Sequence, residues 1–282
     1  MPVEAGSVAI ITGGANGFGR ALGDRCAEHG YRVALLDLDG DKAGAEAATL
    51  ASGHGVEALG LAVDVRDAGS VAASAAAVEE RFGRADLVIS NVSVQLFGAI
   101  DRVTDDELAW VLDVNVIGCA RVTRAFLPLL RKAAPGRIVY TASRNALDLT
   151  SRMSAYQISK FAIWGLAESM RVELADDDIR VSTIFPGGML TGHLLSSEAA
   201  QPDAIRRPIG EPSDYELMAA AKPAMVQELT TAEDASRGVI EAVLADAPYV
   251  ITHGNLAEIL ETRHAELLSA AEAASRKPLP VF

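Results

Sequence analysis

Cysteine is nearly absent from this chain of 282 residues, with only Cys26 and Cys119 present. Each sits in an apolar helical pattern, so the pair reads as reduced core thiols of a cytoplasmic protein rather than a disulfide or a nucleophile. Positive charge is also in short supply: 25 Lys and Arg stand against 38 Asp and Glu, a formal net charge of -13. That balance argues against nucleic acid or an anionic membrane as partner, while leaving room for a local site that takes an anionic cofactor. There is no run of about 18 apolar residues, hence no expected transmembrane helix. The start, Met1-Pro2-Val3-Glu4-Ala5-Gly6, lacks the basic stretch and separate apolar segment of a signal peptide. The five histidines (His29, His54, His193, His253 and His264) show no ligand spacing, and no metal site is expected. His193 falls near the presumed pocket and reads as a surface loop residue.

What is present is a core and a rhythm. Hydrophobic residues make up 50% of the chain and charged residues 22%, in keeping with a soluble globular protein. Short apolar runs read as strands at Val8 to Ile11, Arg32 to Leu36, Leu59 to Val63, Leu87 to Ile89, Arg137 to Tyr140 and Val181 to Ile184. Most are apolar throughout, as strands covered on both faces are. Helical patterns lie between them near 18–29, 40–52, 68–83, 105–132 and 154–175. The alternation predicts an α/β, doubly wound parallel sheet of about seven strands with helices on both faces, a Rossmann fold. No linker, repeat or low-complexity segment divides the chain, so residues 1–282 are expected to form one domain.

Two regions break the rhythm. Residues 187–230 are rich in Gly, Pro, Met and Ser without a steady period, as a substrate-binding loop or lid, or a disordered segment, would be. Near the end, Leu256, Ile259, Leu260, Leu267 and Leu268 form an apolar stripe, followed by Lys277-Pro278-Leu279-Pro280. Residues 254–282 therefore read as a C-terminal helix and tail that cap the core or meet a partner.

Three groups of residues carry chemistry. Thr12-Gly13-Gly14-Ala15-Asn16-Gly17-Phe18-Gly19 follows the first strand and opens the first helix. Glycines at 13, 17 and 19 permit a tight turn and close approach of a pyrophosphate, which the N–H groups and positive dipole end of the helix would hold. Asp37 ends the second strand, where a carboxylate can accept hydrogen bonds from adenosine ribose hydroxyls and repel a 2′-phosphate. Asn16 and Leu38 occupy the two positions from which a basic residue could neutralise that phosphate, so NAD is expected over NADP. The competing reading of Asp37 is a strand-end cap of the next helix. Tyr156 and Lys160 lie one helical turn apart, so the ammonium can reach the neighbourhood of the phenol and pull its pKa down from near 10.

With these motifs in order, the chain resembles the single-domain short-chain dehydrogenase/reductase family over roughly residues 7–191 and the strand near 249–252. The resemblance implies further roles. Asp64, followed by Val65, would contact adenine, Asn91 would follow the fourth strand, and Asn115 would hold a water linking Lys160 to solvent. Ser143 would position the substrate oxygen, with a bare strand-end role as its alternative. Pro186-Gly187 forms the turn after the sixth strand, and Thr191 would meet the nicotinamide carboxamide. The catalytic set implied is Asn115, Ser143, Tyr156 and Lys160, with Tyr156 the general acid/base of hydride transfer between a secondary alcohol and a ketone. One departure stands out. Ser90-Asn91-Val92-Ser93 replaces the family's usual Asn-Asn-Ala-Gly, and a serine at 93 would be strained if the backbone there needed glycine.

Val94, Leu96, Phe97, Leu147, Met189, Leu194 and Leu195 are the expected substrate contacts, with Tyr215 and Met218 behind them. They are mostly apolar, and no arginine is placed to clamp a carboxylate or CoA phosphate, which points to a hydrophobic or aromatic secondary alcohol or ketone. The part from Tyr249 to His253, leading into a helix, resembles family members that oxidise aryl or alicyclic alcohols. The family implies a homodimer or homotetramer through the helices of Asn115 and Tyr156. The alternatives are a sugar, steroid or acyl-thioester reductase, an NAD-binding sensor without turnover, and a nucleotide-sugar epimerase or dehydratase. Sensors typically lose the Tyr or Lys, and the epimerases are longer.

Overall fold

The computed structural model describes residues 3–206 and 212–275. Met1 and Pro2, positions 207–211 of the expected lid, and the tail 276–282 lie outside the described residues. The strands are β1 (Val8–Thr12), β2 (Arg32–Asp37), β3 (Ala58–Ala62), β4 (Leu87–Ser90), β5 (Gly136–Thr141), β6 (Ile179–Phe185) and β7 (Tyr249–Ile251). The helices up to β6 are α1 (Gly17–Glu28), α2 (Gly40–His54), α3 (Ala68–Phe82), α4 (Asp105–Leu112), α5 (Gly118–Lys132) and α6 (Ser154–Glu173). After β6 come α7 (His193–Ala200), α8 (Asp214–Ala221), α9 (Pro223–Gln227), α10 (Ala232–Ala235), α11 (Val239–Leu244) and α12 (Ala257–Ser275).

Every neighbouring strand pair is parallel, in the order β3-β2-β1-β4-β5-β6-β7. Strand β1 shows why. All five of its residues are buried, and alternate side chains serve opposite faces of the sheet. Val8 and Ile10 join a layer built with α3, α5 and α6, whereas Ala9 and Ile11 join a layer with α1 and α11. Cys26 and Cys119 are free, buried members of these layers. Helix ends follow local chemistry: Asp39 and Asp67 cap α2 and α3, and Gly55 and Gly83 close them in left-handed geometry.

The helix expected over 105–132 is continuous but not uniform. A π turn at Asp113–Ile117 separates α4 from α5, with the Gly118 N–H donating to the Asp113 carbonyl. The widened turn lies at Asn115, and such turns are common at functional sites.

The aperiodic stretch 187–230 is largely helical where described, with α7, a 3₁₀ turn at Asp203–Ile205, α8 and α9. These helices have at most eight residues, too short to display a period. Local signals set them instead: a Ser213/Glu216 capping box starts α8, and Pro223 opens α9. At the C-terminus Leu256 is buried and Ile259 and Leu260 pack on the core, but Leu267 and Leu268 are exposed. Only the base of α12 serves the core. Among the described residues no helix is long and apolar enough to cross a membrane.

Candidate active site

In a doubly wound sheet the crevice lies beyond the strand C-termini, where the winding reverses; here that is between β1 and β4. A cavity of about 750 Å³ opens there, running from Asp37 and Leu38 past the glycine turn to Ser143, Tyr156 and Lys160, with α7 to α9 above. Gly13 adopts φ +64°, and a Cβ on Gly19 would lie 2.1 Å from the Gly13 carbonyl oxygen, so both positions need glycine. Asn16 precedes α1 without capping it, because its side-chain oxygen accepts from Lys42 Nζ. The first-turn N–H groups of α1 are thereby left for an anion. Gly17 and Phe18 line this wall, Phe18 with its ring buried in the core.

The Asp37 carboxylate is held at the rim by the Ala15 N–H at 3.0 Å and the Asp39 N–H at 3.2 Å. It does not cap α2, since Asp39 does. Neither adjacent position is basic, as read, but Lys42 reaches Asn16 from α2, four residues beyond Leu38. Asp64 and Val65 line the same end. The Asp64 carboxylate pairs with Arg66 at 2.7 Å, and that hydrogen bond holds it below the usual carboxylate range. Asn91 donates from Nδ2 to the Thr12 carbonyl at 3.1 Å and from its backbone N–H to Thr12 Oγ1 at 3.0 Å, joining the glycine turn to β4. Ser93 is not among the residues with positive φ, so the missing glycine leaves no left-handed strain there.

At the other end, β5 delivers Ser143 and α6 delivers Tyr156 and Lys160. Ser143 Oγ accepts from the Asn145 N–H at 3.1 Å, starting a short 3₁₀ turn, and its hydroxyl acts to lower the Tyr156 pKa. Lys160, 1% exposed, donates from Nζ to the Thr141 carbonyl at 3.0 Å. The expected pull of Lys160 on the phenol is not what this geometry gives. Burial pushes Tyr156 up to about 12, opposed by the Ser143 hydroxyl, while burial drives Lys160 down to about 8. The lysine is turned to the Thr141 carbonyl and contributes no resolved lowering of the phenol.

Asn115 is fully buried. Its Oδ1 accepts from the Val94 N–H at 2.7 Å, and Nδ2 donates to the Val94 carbonyl and to Ser159 Oγ, both at 2.9 Å. Both amide protons are thus spent joining the post-β4 loop to α6, leaving a water only an oxygen lone pair of the side chain. The Pro186-Gly187 turn is fixed by the Arg144 N–H donating to the Pro186 carbonyl and by the Gly187 N–H donating to Thr252 Oγ1. His253 packs so tightly that a Cβ on Gly187 would lie 2.4 Å from its ring. Thr191 faces Gly17 across the cavity mouth.

Of the expected substrate contacts, Val94, Phe97, Met189 and Leu194 line the cavity, as do Tyr215 and Met218. Leu96, Leu147 and Leu195 do not. Leu147 is buried in the sheet layer, Leu96 packs against that layer, and Leu195 is 71% exposed on the outer side of α7. The sequence reading did not name Met153, at the start of α6, or Met225 and Leu229 of the lid, where the helices are too short to show a period. It also misplaced His193, which opens α7 half-buried with its ring centre 6.4 Å from that of Tyr156. Arg144 borders the cavity too, but its guanidinium is taken by Asp148 and Glu228. Lys222 also pairs with Asp148, and Asp214 pairs with Arg152 and Arg102, so ion pairs tie α8 and α9 down at both ends.

A parallel seven-stranded sheet with a glycine turn, a rim carboxylate and a Ser-Tyr-Lys cluster defines a dinucleotide-type oxidoreductase fold. The short chain dehydrogenase family model matches residues 7–202, and the chain belongs to that family. Oxidoreductase UcpA of Escherichia coli strain K12 is 35% identical over 188 residues, spanning 66% of this chain and 70% of UcpA. D-threitol dehydrogenase of Mycolicibacterium smegmatis is 33% identical over 204 residues, 72% of this chain and 78% of the relative. The crystal structure of a short chain dehydrogenase/reductase from Burkholderia phymatum in complex with NAD superposes with a TM-score of 0.84 at 28% identity, over 99% of this chain and 98% of that one.

Proposed function

We propose that the protein is an NAD-dependent oxidoreductase that interconverts a secondary alcohol and a ketone, most readily a hydrophobic aryl or alicyclic one. The observation that carries this reading is the joining of Ser143, Tyr156 and Lys160 to the Asp37 rim by one continuous cavity. The residues fit the dinucleotide: the uncapped N–H groups of α1 would hold its phosphates, and Asp37 would accept from a ribose hydroxyl. The NAD complex of the Burkholderia phymatum relative supports the same cofactor.

NAD, when bound, accepts or supplies the hydride. Tyr156 takes the alcohol proton in oxidation and returns it in reduction. Ser143 Oγ, on the same cavity wall as the phenol, holds the substrate oxygen where charge develops. Lys160 brings a cation to the ribose side of the tyrosine, and Asn115 keeps the Val94 loop and α6 in register. Phe97, Met153, Met218 and Leu229 supply an apolar wall, and no free arginine guanidinium is contributed by Arg144.

In this reading residues 1–282 act as one domain, with 187–230 as its lid, in the cytoplasm. Exposed Ile117, Ile158, Phe161 and Val172 near α5 and α6 support a homodimer or homotetramer, which light scattering would reveal. The functional test is the absorbance of reduced nicotinamide after NAD is mixed with aryl and alicyclic secondary alcohols. A rise is expected; activity confined to sugars or acyl-carrier thioesters would contradict the assignment.

A further inference from the structure

The imidazole of His193 is the unused polar group closest to the chemistry. Its backbone is pinned: the N–H donates to Thr191 Oγ1 at 3.3 Å, and the carbonyl accepts from Ser197 Oγ at 2.7 Å. Ser197 Oγ in turn accepts from the Gln95 N–H at 2.9 Å, which docks α7 on the loop that carries Phe97. Nothing comparable holds the ring. Neither ring nitrogen has a hydrogen-bond partner among the described residues, although the ring lines the cavity and tilts 57° against Tyr156. A polar side chain facing a cavity without a partner gains a hydrogen bond when a ligand supplies one. Burial, with Lys160 as the lesser cause, pushes His193 down to about 4. The ring is therefore neutral near pH 7, with one nitrogen to donate and one to accept. Asn145 adds a second unmet group, since it lines the same cavity and its Oδ1 is buried without a partner. A purely hydrocarbon substrate skeleton would leave both unsatisfied.

Resting on the dehydrogenase reading above, we infer that His193 is a specificity-determining residue that hydrogen-bonds a second oxygen on the carbon next to the reacting one. The preferred substrates are then vicinal diols and the matching α-hydroxyketones, on an otherwise apolar frame. The reacting oxygen lies between Tyr156 and Ser143, and the neighbouring oxygen meets the imidazole.

The test compares indane-1,2-diol with 1-indanol, using NAD and the unaltered chain, His193→Phe and His193→Gln. Phe keeps a ring of similar shape without nitrogens, while Gln restores a donor and an acceptor. The expected result is a kcat/KM ratio of diol to mono-alcohol that falls about 10-fold in His193→Phe, consistent with one lost hydrogen bond to a polar group. Turnover of 1-indanol should stay within about 3-fold, and His193→Gln should recover part of the ratio. An unchanged ratio in His193→Phe overturns the inference, as does an equal loss on both alcohols accompanied by weaker NAD binding, which would place the ring on the cofactor. If neither alcohol is oxidised, the dehydrogenase reading fails by itself. Calorimetric affinity of the NAD-loaded protein for the two compounds then decides the role of His193: a preference for the diol that His193→Phe abolishes upholds it, and equal affinity rejects it.

Discussion

The Lys160 ammonium lies over the face of the Tyr156 ring, 5.4 Å from its centre. The i, i+4 spacing on α6 puts the two residues on one side of the helix, but the lysine tip is drawn to the Thr141 carbonyl at the end of β5. The pair is thus poised across a strand end. Each group is held in its neutral form more strongly than it would be in water, as burial demands.

That burial has a consequence for stability. Lys160 has its proton affinity lowered from 10.5 to about 8 by folding, so between those values the unfolded chain binds more protons and stability rises with pH. The penalty for a charged buried lysine is fully present below pH 8 and is relieved toward pH 10.5. Without added cofactor, Lys160→Met is expected to be more stable than the unaltered chain at pH 7 by about 2 kcal/mol, after allowing for the lost bond to Thr141. Denaturant titrations at pH 7 and pH 9.5 check this, and the advantage should shrink at the higher pH. Tyr156 works in the opposite sense: raised to about 12, it adds stability below pH 10 that is lost as pH climbs through 12.

Cofactor choice rests on Asp37. Replacing it with Ala removes the acceptor held by the Ala15 and Asp39 N–H groups and leaves Lys42 nearby on Asn16. Asp37→Ala should lower kcat/KM for NAD about 10–100-fold, the range for lost hydrogen bonds to a charged group, and raise the NADP-to-NAD ratio. Equal use of both cofactors by the unaltered chain would count against Asp37 as the discriminator.

The lid has its own anchor. Arg144 and Asp148 are 4% and 5% exposed and pair at 3.1 Å, with Lys222 and Glu228 completing the group from the lid side. Removing Asp148 leaves the buried Arg144 with Glu228 alone and takes the carboxylate partner from Lys222. Asp148→Ala should therefore cost about 3 kcal/mol, read as a drop of several degrees in Tm. It should also raise KM for the alcohol more than it lowers kcat, because α8 and α9 carry Tyr215, Met218 and Met225 of the cavity wall.

The parts of this molecule that show plainly in the sequence are those governed by short-range rules. Strands such as Val8–Thr12 are continuous apolar runs because both faces are covered, and the glycine turn is dictated by local geometry and clash. Tyr156, Lys160 and Ser143 are legible through spacing. What escaped detection depends on contacts distant in sequence. Lys42 meets Asn16 across 26 residues, and Glu228 finds Arg144 across 84. The Tyr156 pKa moves opposite to expectation because of burial, which is invisible in a spacing of four. His193 looked like a loop residue because α7 is only eight residues long and carries no period. Leu147 and Leu195 failed as pocket contacts for the reason that side-chain direction, not apolarity, decides which wall a residue faces.

Tyr156→Phe tests the central claim most directly. The variant keeps the ring that packs with Met153 and Met218 and removes only the titrating hydroxyl. Measured by reduced-nicotinamide absorbance on an alcohol the unaltered chain oxidises, kcat should fall by about 10²–10⁴-fold while NAD affinity stays within a few-fold. Turnover near that of the unaltered chain would show that Tyr156 does not carry the proton.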